Sequence, residues 1–273
     1  SLVILGDDGL ETAAKQGLVL PMNDYSTAIN EADWYQYARS LSVVGDSLYG
    51  LPLVGDALIM VARAENAMGT SKTWEEIKEN DLKTGFWFND PESALLLNYY
   101  MALGGNFVDE ENQIVLEPTL LMQAYTLLQD LFISNVMDET LTEYAGYTEL
   151  WEGYLSGAFD VVIVPSSLAL TSLPEDSRII PLAPLTDYDY YDHSLAKGWS
   201  VALADPLPER RELSVALAES LTDVTFMGEW SNTLGYMPVR ETAFDEWDFG
   251  ATVLHLSLTS TSARTYPSQE ITS

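Results

Sequence analysis

The stretch Gly45–Arg63, GDSLYGLPLVGDALIMVAR, constrains this chain more than any other. Gly45-Asp46-Ser47 favours a tight reversal. The run Leu48–Val54 follows, and Pro52, which cannot donate to a sheet ladder, predicts that Leu48–Leu51 is an edge or terminal strand. Ala57–Ala62 is uninterrupted and apolar, the pattern of a strand buried on both faces. Between the two lies Gly55-Asp56, a single carboxylate in an otherwise apolar segment. Burying that carboxylate unpaired is expensive, so it needs a partner. A ligand hydroxyl or ammonium would serve, and so would backbone amides at a turn; the residues alone leave both open.

The rest of the chain alternates short buried strands with helices, the signature of an α/β fold. Leu2–Leu5 reads as a strand, Gly6–Gly9 as the turn leaving it, and Leu10–Gln16 as a helix that Gly17 closes. Ligands of open α/β sheets sit outside the carboxyl ends of strands, which marks Asp7 and Asp8, although a helix start also favours them. Thr73-Trp74-Glu75-Glu76 is a capping box with Thr73 at the N-cap. Gly85–Pro91 predicts a strand ending in a turn, Ser93–Leu103 a helix, Asp109–Asn112 a polar turn and Ile114–Leu116 a strand. Thr119–Phe132 carries Leu120, Leu121, Ala124, Leu127, Leu128 and Leu131 at helical spacing, predicting a helix that faces the core. Leu150–Ser156 predicts a helix closed by Gly157, Phe159–Val164 a strand, and Ile179–Pro184 another. Tyr188–His193 reads as a polar aromatic loop, Lys197–Leu203 as a strand, and Glu209–Leu221 as an amphipathic helix whose pattern continues through Phe226–Trp230.

Several phrases occur in the order and spacing of a known family. LYGLPLVGDALIMVAR, LVLPMNDY at Leu18–Tyr25, TWEEI at Thr73–Ile77, GGNF at Gly104–Phe107, LWEGYLSGAFDVVIVPSSLAL at Leu150–Leu170, KGWSVAL at Lys197–Leu203 and LGYMPVR at Leu234–Arg240 resemble extracellular solute-binding proteins of ABC importers, in the sugar-binding, maltodextrin-type branch. The resemblance covers about residues 1 to 250. It implies a two-lobe periplasmic-binding-protein-like fold of type II with crossovers near Gly55, Gly198 and Gly235. Lobe one would hold 1–54 and 198–236, and lobe two 57–196 and 237–273. It also implies a strand-helix-strand unit before Leu2 and final helices after Ser273, so that lobe one is incomplete. The lack of a signal peptide then says nothing about location, which the family places outside the cytoplasm, in the periplasm or as a cell-surface lipoprotein.

A sugar is held by aromatic faces against its C–H surfaces and by planar polar groups that pair its hydroxyls. The interlobe candidates are Asp56, Trp199, Asp7, Asp8, Trp87, Asn89, Asp90, Ser166, Tyr236 and Arg240. Asp56 matches a position that often binds ligand in the family, and Trp199 matches the aromatic of the family's crossover phrase that faces the cleft, although simple core packing accounts for an indole there equally well. At Ser166-Ser167-Leu168 this chain lacks the aromatic that the family often stacks on a sugar. Arg240 suits a salt bridge better than a ligand contact. Trp34, Trp74, Trp151, Trp230 and Trp247 fall on helical patterns and predict packing.

Composition narrows the alternatives. A net charge of −30 gives no basic footprint for nucleic acid and would be repelled by an anionic membrane. No apolar run approaches the ~18 residues of a membrane span. With no cysteine there is no disulfide, thiolate metal site or cysteine nucleophile, and no metal or cofactor is expected. The two histidines, His193 and His255, have no partner motif, and G-x-S-x-G, H-E-x-x-H, P-loop and G-x-G-x-x-G phrases are absent. With 42 Asp and Glu, some pair always looks fit for glycoside hydrolysis, so that pattern is uninformative. The expectation is a monomeric, non-catalytic binder of a sugar or oligosaccharide that delivers it to an ABC permease. Two alternatives stay open: a ligand-sensing domain of a larger receptor, and a binder of polyamines or other amines.

Overall fold

The computed structural model describes residues 1–66, 73–107, 109, 115–180, 182, 194–248 and 250–265. Most of the expected turn at 109–112, Ile114, the stretch Ala183-Pro184 and the aromatic loop Tyr188–His193 lie outside the described residues, and Val115 and Leu116 of the expected strand Ile114–Leu116 are described but not in a strand. Strand β1 (Leu2–Gly6) runs into helix α1 (Asp7–Lys15), which ends before Gly17 in a left-handed conformation. Then come α2 (Gln36–Leu41), a hairpin of β2 (Val43–Val44) and β3 (Ser47–Leu48), β4 (Gly50–Arg63), α3 (Trp74–Glu79), β5 (Thr84–Gly85), α4 (Ala94–Ala102) and α5 (Pro118–Ile133). The second half contains α6 (Tyr147–Leu155), β6 (Val161–Pro165), α7 (Ser166–Leu170), β7 (Ser177–Ile180), β8 (Leu195–Leu203), α8 (Pro208–Leu221), α9 (Val224–Leu234), α10 (Ala251–Ser262) and β9 (Arg264–Thr265). No described helix is long and apolar enough to cross a membrane.

Two compact units share the chain. The first comprises Ser1–Asp56, Ala196–Val253 and the end of the chain from Arg264, and the second Ala57–Leu195 and Leu254–Ala263. The chain passes from one to the other inside β4, inside β8 and inside α10, and returns to the first between Ala263 and Arg264. The third passage differs from the expected one near Gly235. Met237 exchanges both backbone hydrogen bonds with Gly55, at 2.9 and 3.1 Å, so the residues after Gly235 stay in the first unit. The assignment of all of 237–273 to the second lobe is thereby corrected.

In the first unit β8 is the organising strand. It pairs antiparallel with β1, from Leu2 opposite Leu203 to Gly6 opposite Trp199, and is also flanked by β4 and β9. Val201 and Leu203 pack with Met22, Leu51, Val215 and Ala218, whereas Ala202 packs with Leu10, Ala13 and Val19. Alternate residues thus feed two cores, and both faces are covered, which is why the segment reads as a nearly continuous apolar run.

In the second unit the distal half of β4 lies between β6 and β7, antiparallel to both, and β5 adds to β6 in parallel. Leu58–Ala62 and Val161–Val164 are buried throughout. β4 continues through Pro52, where a break was expected. Proline removes one ladder donor, but Leu51, Leu53 and Val54 around it are buried, and that burial outweighs one missing hydrogen bond. The capping box of α3 forms in full: the Thr73 hydroxyl accepts from the Glu76 amide, and the Thr73 amide donates to the Glu76 carboxylate.

Helix α5 departs from its pattern. Only Ala124 and Leu131 of the expected stripe are buried, while Met122, Tyr125 and Ile133 are exposed. The strand expected at the start of Gly85–Pro91 shrinks to Thr84–Gly85, and the helical pattern expected to run on from Leu221 restarts at Val224, where the Asp223 carboxylate caps α9.

Candidate functional site

The predicted site residues fall into two groups, one in each unit. In the first unit, the carboxyl end of β1 is Gly6, and α1 begins at the next residue, so Asp7 and Asp8 form its first turn. The free amides and the positive end of the helix dipole at that point favour carboxylates. Gly6 is the register partner of Trp199, and the indole nitrogen lies 3.7 Å from where a side chain on Gly6 would begin. Strand alternation puts Lys197 on the same face of β8 as Trp199, just past the end of β1.

Asp7 therefore sits among mixed influences. Burial pushes its carboxyl above the usual range, the Asp8 charge pushes the same way, and the Lys197 ammonium opposes both without prevailing.

Trp199 meets Tyr236 edge to face, with ring centroids 5.3 Å apart. Tyr236 is placed by the end of α9, where Gly235 adopts a left-handed conformation, and its amide returns to the Ser231 carbonyl. Met237 then bridges to Gly55, so half-buried Asp56 follows one bridge partner and Tyr236 precedes the other. Asp7, Asp8, Asp56, Trp199 and Tyr236 thus belong to one constellation of the first unit. Lys197 belongs with them and was missed as a site residue; its signal was the two-residue spacing from Trp199 in a strand.

Arg240 also lies in this unit but is committed elsewhere. Its guanidinium donates to Asp33 through Nε at 2.9 Å and through a terminal nitrogen at 2.8 Å, to the Thr222 carbonyl at 3.1 Å, and to Glu31. It also stacks 4.6 Å over the Trp34 ring. Only 6% exposed, it is a structural clamp and is set aside as a ligand contact.

The second unit holds Trp87, Asn89, Asp90 and Ser166. Asp90 accepts from the amides of Glu92 and Ala94, both at 3.0 Å, which secures the entry to α4, and from the Tyr147 hydroxyl at 3.1 Å. Tyr147 also meets Trp87 edge to face at 5.0 Å, so this unpredicted tyrosine ties the two together. Exposed Asn89 donates to the Thr142 carbonyl at 3.2 Å. Ser166 is fully buried and accepts a long bond, 3.4 Å, from the Ala57 amide; its burial removes it from the candidates. Among the described residues, no group of three or more His, Asp or Glu is placed to hold a metal ion.

The sequence matches, over residues 1–253, the model of a family described as bacterial extracellular solute-binding protein. No curated protein matches it. Among solved structures, the sugar-binding protein MalE of Xanthomonas citri is similar at 15% identity and TM-score 0.80, covering 98% of this chain and 74% of that one. The maltotriose-binding protein of Thermus thermophilus, bound with maltotriose, aligns at 20% identity and TM-score 0.73, covering 97% and 74%. UgpB of Mycobacterium tuberculosis, in complex with glycerophosphocholine, aligns at 17% identity and TM-score 0.71, covering 97% and 72%. These likenesses give the fold class: α/β, of the two-lobe periplasmic-binding-protein-like kind that the crossover phrases implied. The family and the similar structures are binding proteins rather than enzymes.

Proposed function

Because this chain belongs to the bacterial extracellular solute-binding protein family, we propose that it is the extracytoplasmic binding component of an ABC importer and takes a sugar or oligosaccharide without transforming it. The observation that carries this reading is the Trp199–Tyr236 pair set beside Asp7 and Asp8 at the carboxyl end of β1. An indole and a phenol offer flat faces to the C–H side of a pyranose, and carboxylates accept paired hydroxyl donors. Asp56 and Lys197 complete the polar set. The similar Thermus protein holds maltotriose, which supports a glucose oligomer as the first ligand class to test.

In this reading the ligand is gripped in the cleft between the lobes, favours their closed arrangement by touching both, and is handed by a monomer to a membrane permease. The protein acts outside the cytoplasm, in the periplasm or held at the cell surface as a lipoprotein.

A second reading is an amine ligand. Three carboxylates with two aromatic rings also suit a cation, and the similar Mycobacterium protein holds glycerophosphocholine, which carries one.

A thermal-shift screen against maltose, maltotriose, spermidine and glycerophosphocholine separates the two. A ligand at about 100 times its dissociation constant adds roughly 2.7 kcal/mol to stability, a readable rise in melting temperature. Stabilisation by a sugar, abolished in Asp56→Ala and Trp199→Ala, upholds the first reading. Stabilisation by spermidine or glycerophosphocholine alone, weakened by salt, replaces it with the second. Silence from all four rejects both ligand classes.

A further inference from the structure

The second unit contains a cavity that includes the candidates Trp87 and Asp90, and whose remaining walls the Trp199–Tyr236 constellation does not share. It lies between residues 86–93, the first turn of α4 and one face of α5, and has a volume of about 380 Å³. Its walls carry the rings of Phe86, Trp87, Phe88, Tyr125 and Phe132. Three of these form a triangle of edge-to-face contacts, with centroids 6.0 Å apart for Phe86–Phe88, 6.4 Å for Phe86–Phe132 and 5.6 Å for Phe88–Phe132. Tyr125 and Phe88 remain 59% and 47% exposed, so the aromatic lining opens to solvent.

The polar groups on the lining are few, and they decide what can enter: Asp90, Ser93, Gln129, the hydroxyl of exposed Tyr125 and the buried indole N–H of Trp87, which has no hydrogen-bond partner among the described residues. The Asp90 carboxylate already accepts from three donors. The Ser93 hydroxyl, the Gln129 amide and the Trp87 indole N–H remain for a ligand inside, with the Tyr125 hydroxyl at the open side. A pyranose brings several hydroxyls, and each one buried without a partner costs about 1–3 kcal/mol, so the cavity is ill suited to a sugar. No cation lines it, one carboxylate does, and the chain carries a net charge of −30, so anions are disfavoured. Rings, by contrast, gain edge-to-face and offset contacts with a ring-lined wall, and the volume lies at the lower end of small-molecule sites.

We propose that this cavity binds an uncharged aromatic group of one or two rings, with its polar end toward Ser93 and Gln129. The proposal does not depend on the sugar reading; loss of maltose binding in Asp56→Ala would leave it standing.

The test uses this chain with three probes in saturation-transfer NMR titrations: 2-methoxynaphthalene, the anion 2-naphthoate with the same rings, and maltose. Two variants narrow the cavity, Gln129→Trp at an exposed position of α5 and Leu128→Trp deeper in; circular dichroism reports whether each folds. The expected result is saturable binding of 2-methoxynaphthalene, at least about tenfold weaker binding of 2-naphthoate, and a loss of at least about tenfold in Gln129→Trp at unchanged circular dichroism. Leu128→Trp repeats the loss if it folds; if it does not, Gln129→Trp decides alone. The proposal is overturned if 2-methoxynaphthalene does not saturate, if 2-naphthoate binds as well, if maltose displaces the neutral probe, or if the folded variants bind it unchanged.

Discussion

The phenol oxygen of Tyr37 occupies the space that a β-carbon on Gly55 would need, with the ring carbon bearing it only 3.0 Å from that position. Gly55 is also held by the bridge to Met237 and is followed by Asp56, so these contacts fix the backbone from which the candidate carboxylate projects. Gly55→Ala is expected to destabilise by about 1–3 kcal/mol, because the ring or the strand must shift. Tyr37→Phe should recover part of the loss in the double variant, and a thermal double-mutant cycle measures that coupling. A melting temperature unchanged by Gly55→Ala would contradict the packing described.

Arg240 and Asp33 form the best-connected ion pair among the described residues. Arg240→Met leaves Asp33 and the Thr222 carbonyl without a buried donor and should cost about 3–5 kcal/mol in chemical denaturation. Burial alone would raise the Asp33 carboxyl, but hydrogen bonds from Arg240 and Thr242 and the guanidinium charge prevail and hold it below 3.8. The unfolded chain therefore takes up this proton first on acidification. The stabilisation is present above 3.8 and is lost as pH falls through the lower folded value. Melting temperature followed from about pH 5 downward should fall less steeply in Asp33→Asn than in the parent chain.

His255 works in a higher window. It is 6% exposed, and its Nδ1 has no hydrogen-bond partner among the described residues. Burial holds its pKa below 6.5 by disfavouring the cation. Its neutral form thus supports the fold above 6.5, and that support is lost as pH falls from there through the folded value. The parent chain should lose melting temperature across this range, and His255→Leu should flatten the slope. Identical slopes would remove His255 as the cause.

Asp7 is expected to trade stability for binding. Its carboxyl is raised above 3.8, so its ionised form opposes folding at neutral pH. Asp7→Asn relieves both the buried charge and the repulsion from Asp8, and should raise the melting temperature by roughly 2–4 °C or less. The same change should weaken the ligand identified by the thermal-shift screen. A variant that is stabilised and still binds fully would take Asp7 out of the site.

Much of the local structure was legible because it depends on neighbours in sequence. The Thr73–Glu76 capping box, the stop of α1 before Gly17 and of α6 before Gly157, and the buried runs Leu58–Ala62 and Val161–Val164 need only capping chemistry, a left-handed glycine or an unbroken apolar stretch. The strand around Trp199 was legible too, since Lys197–Leu203 falls inside β8.

What the sequence by itself determined, then, is the capped helices and buried strands named above, though not α2, α7 or α10, together with the absence of cysteine chemistry and the family to which they point. Tertiary structure decided how far each pattern is honoured. Pro52 reads as a break, yet β4 continues through it, since burial of its neighbours is a long-range gain that no local rule contains. The stripe of α5 reads as core, yet only Ala124 and Leu131 are fully buried and Leu128 lines an open cavity, because how much of an apolar face is covered depends on what packs over it. Asp33 and Arg240 are separated by 207 positions, and Gly55 and Met237 are likewise far apart in the chain. Whether Arg240 meets a ligand or a carboxylate of its own chain was settled only when folding brought those distant segments together.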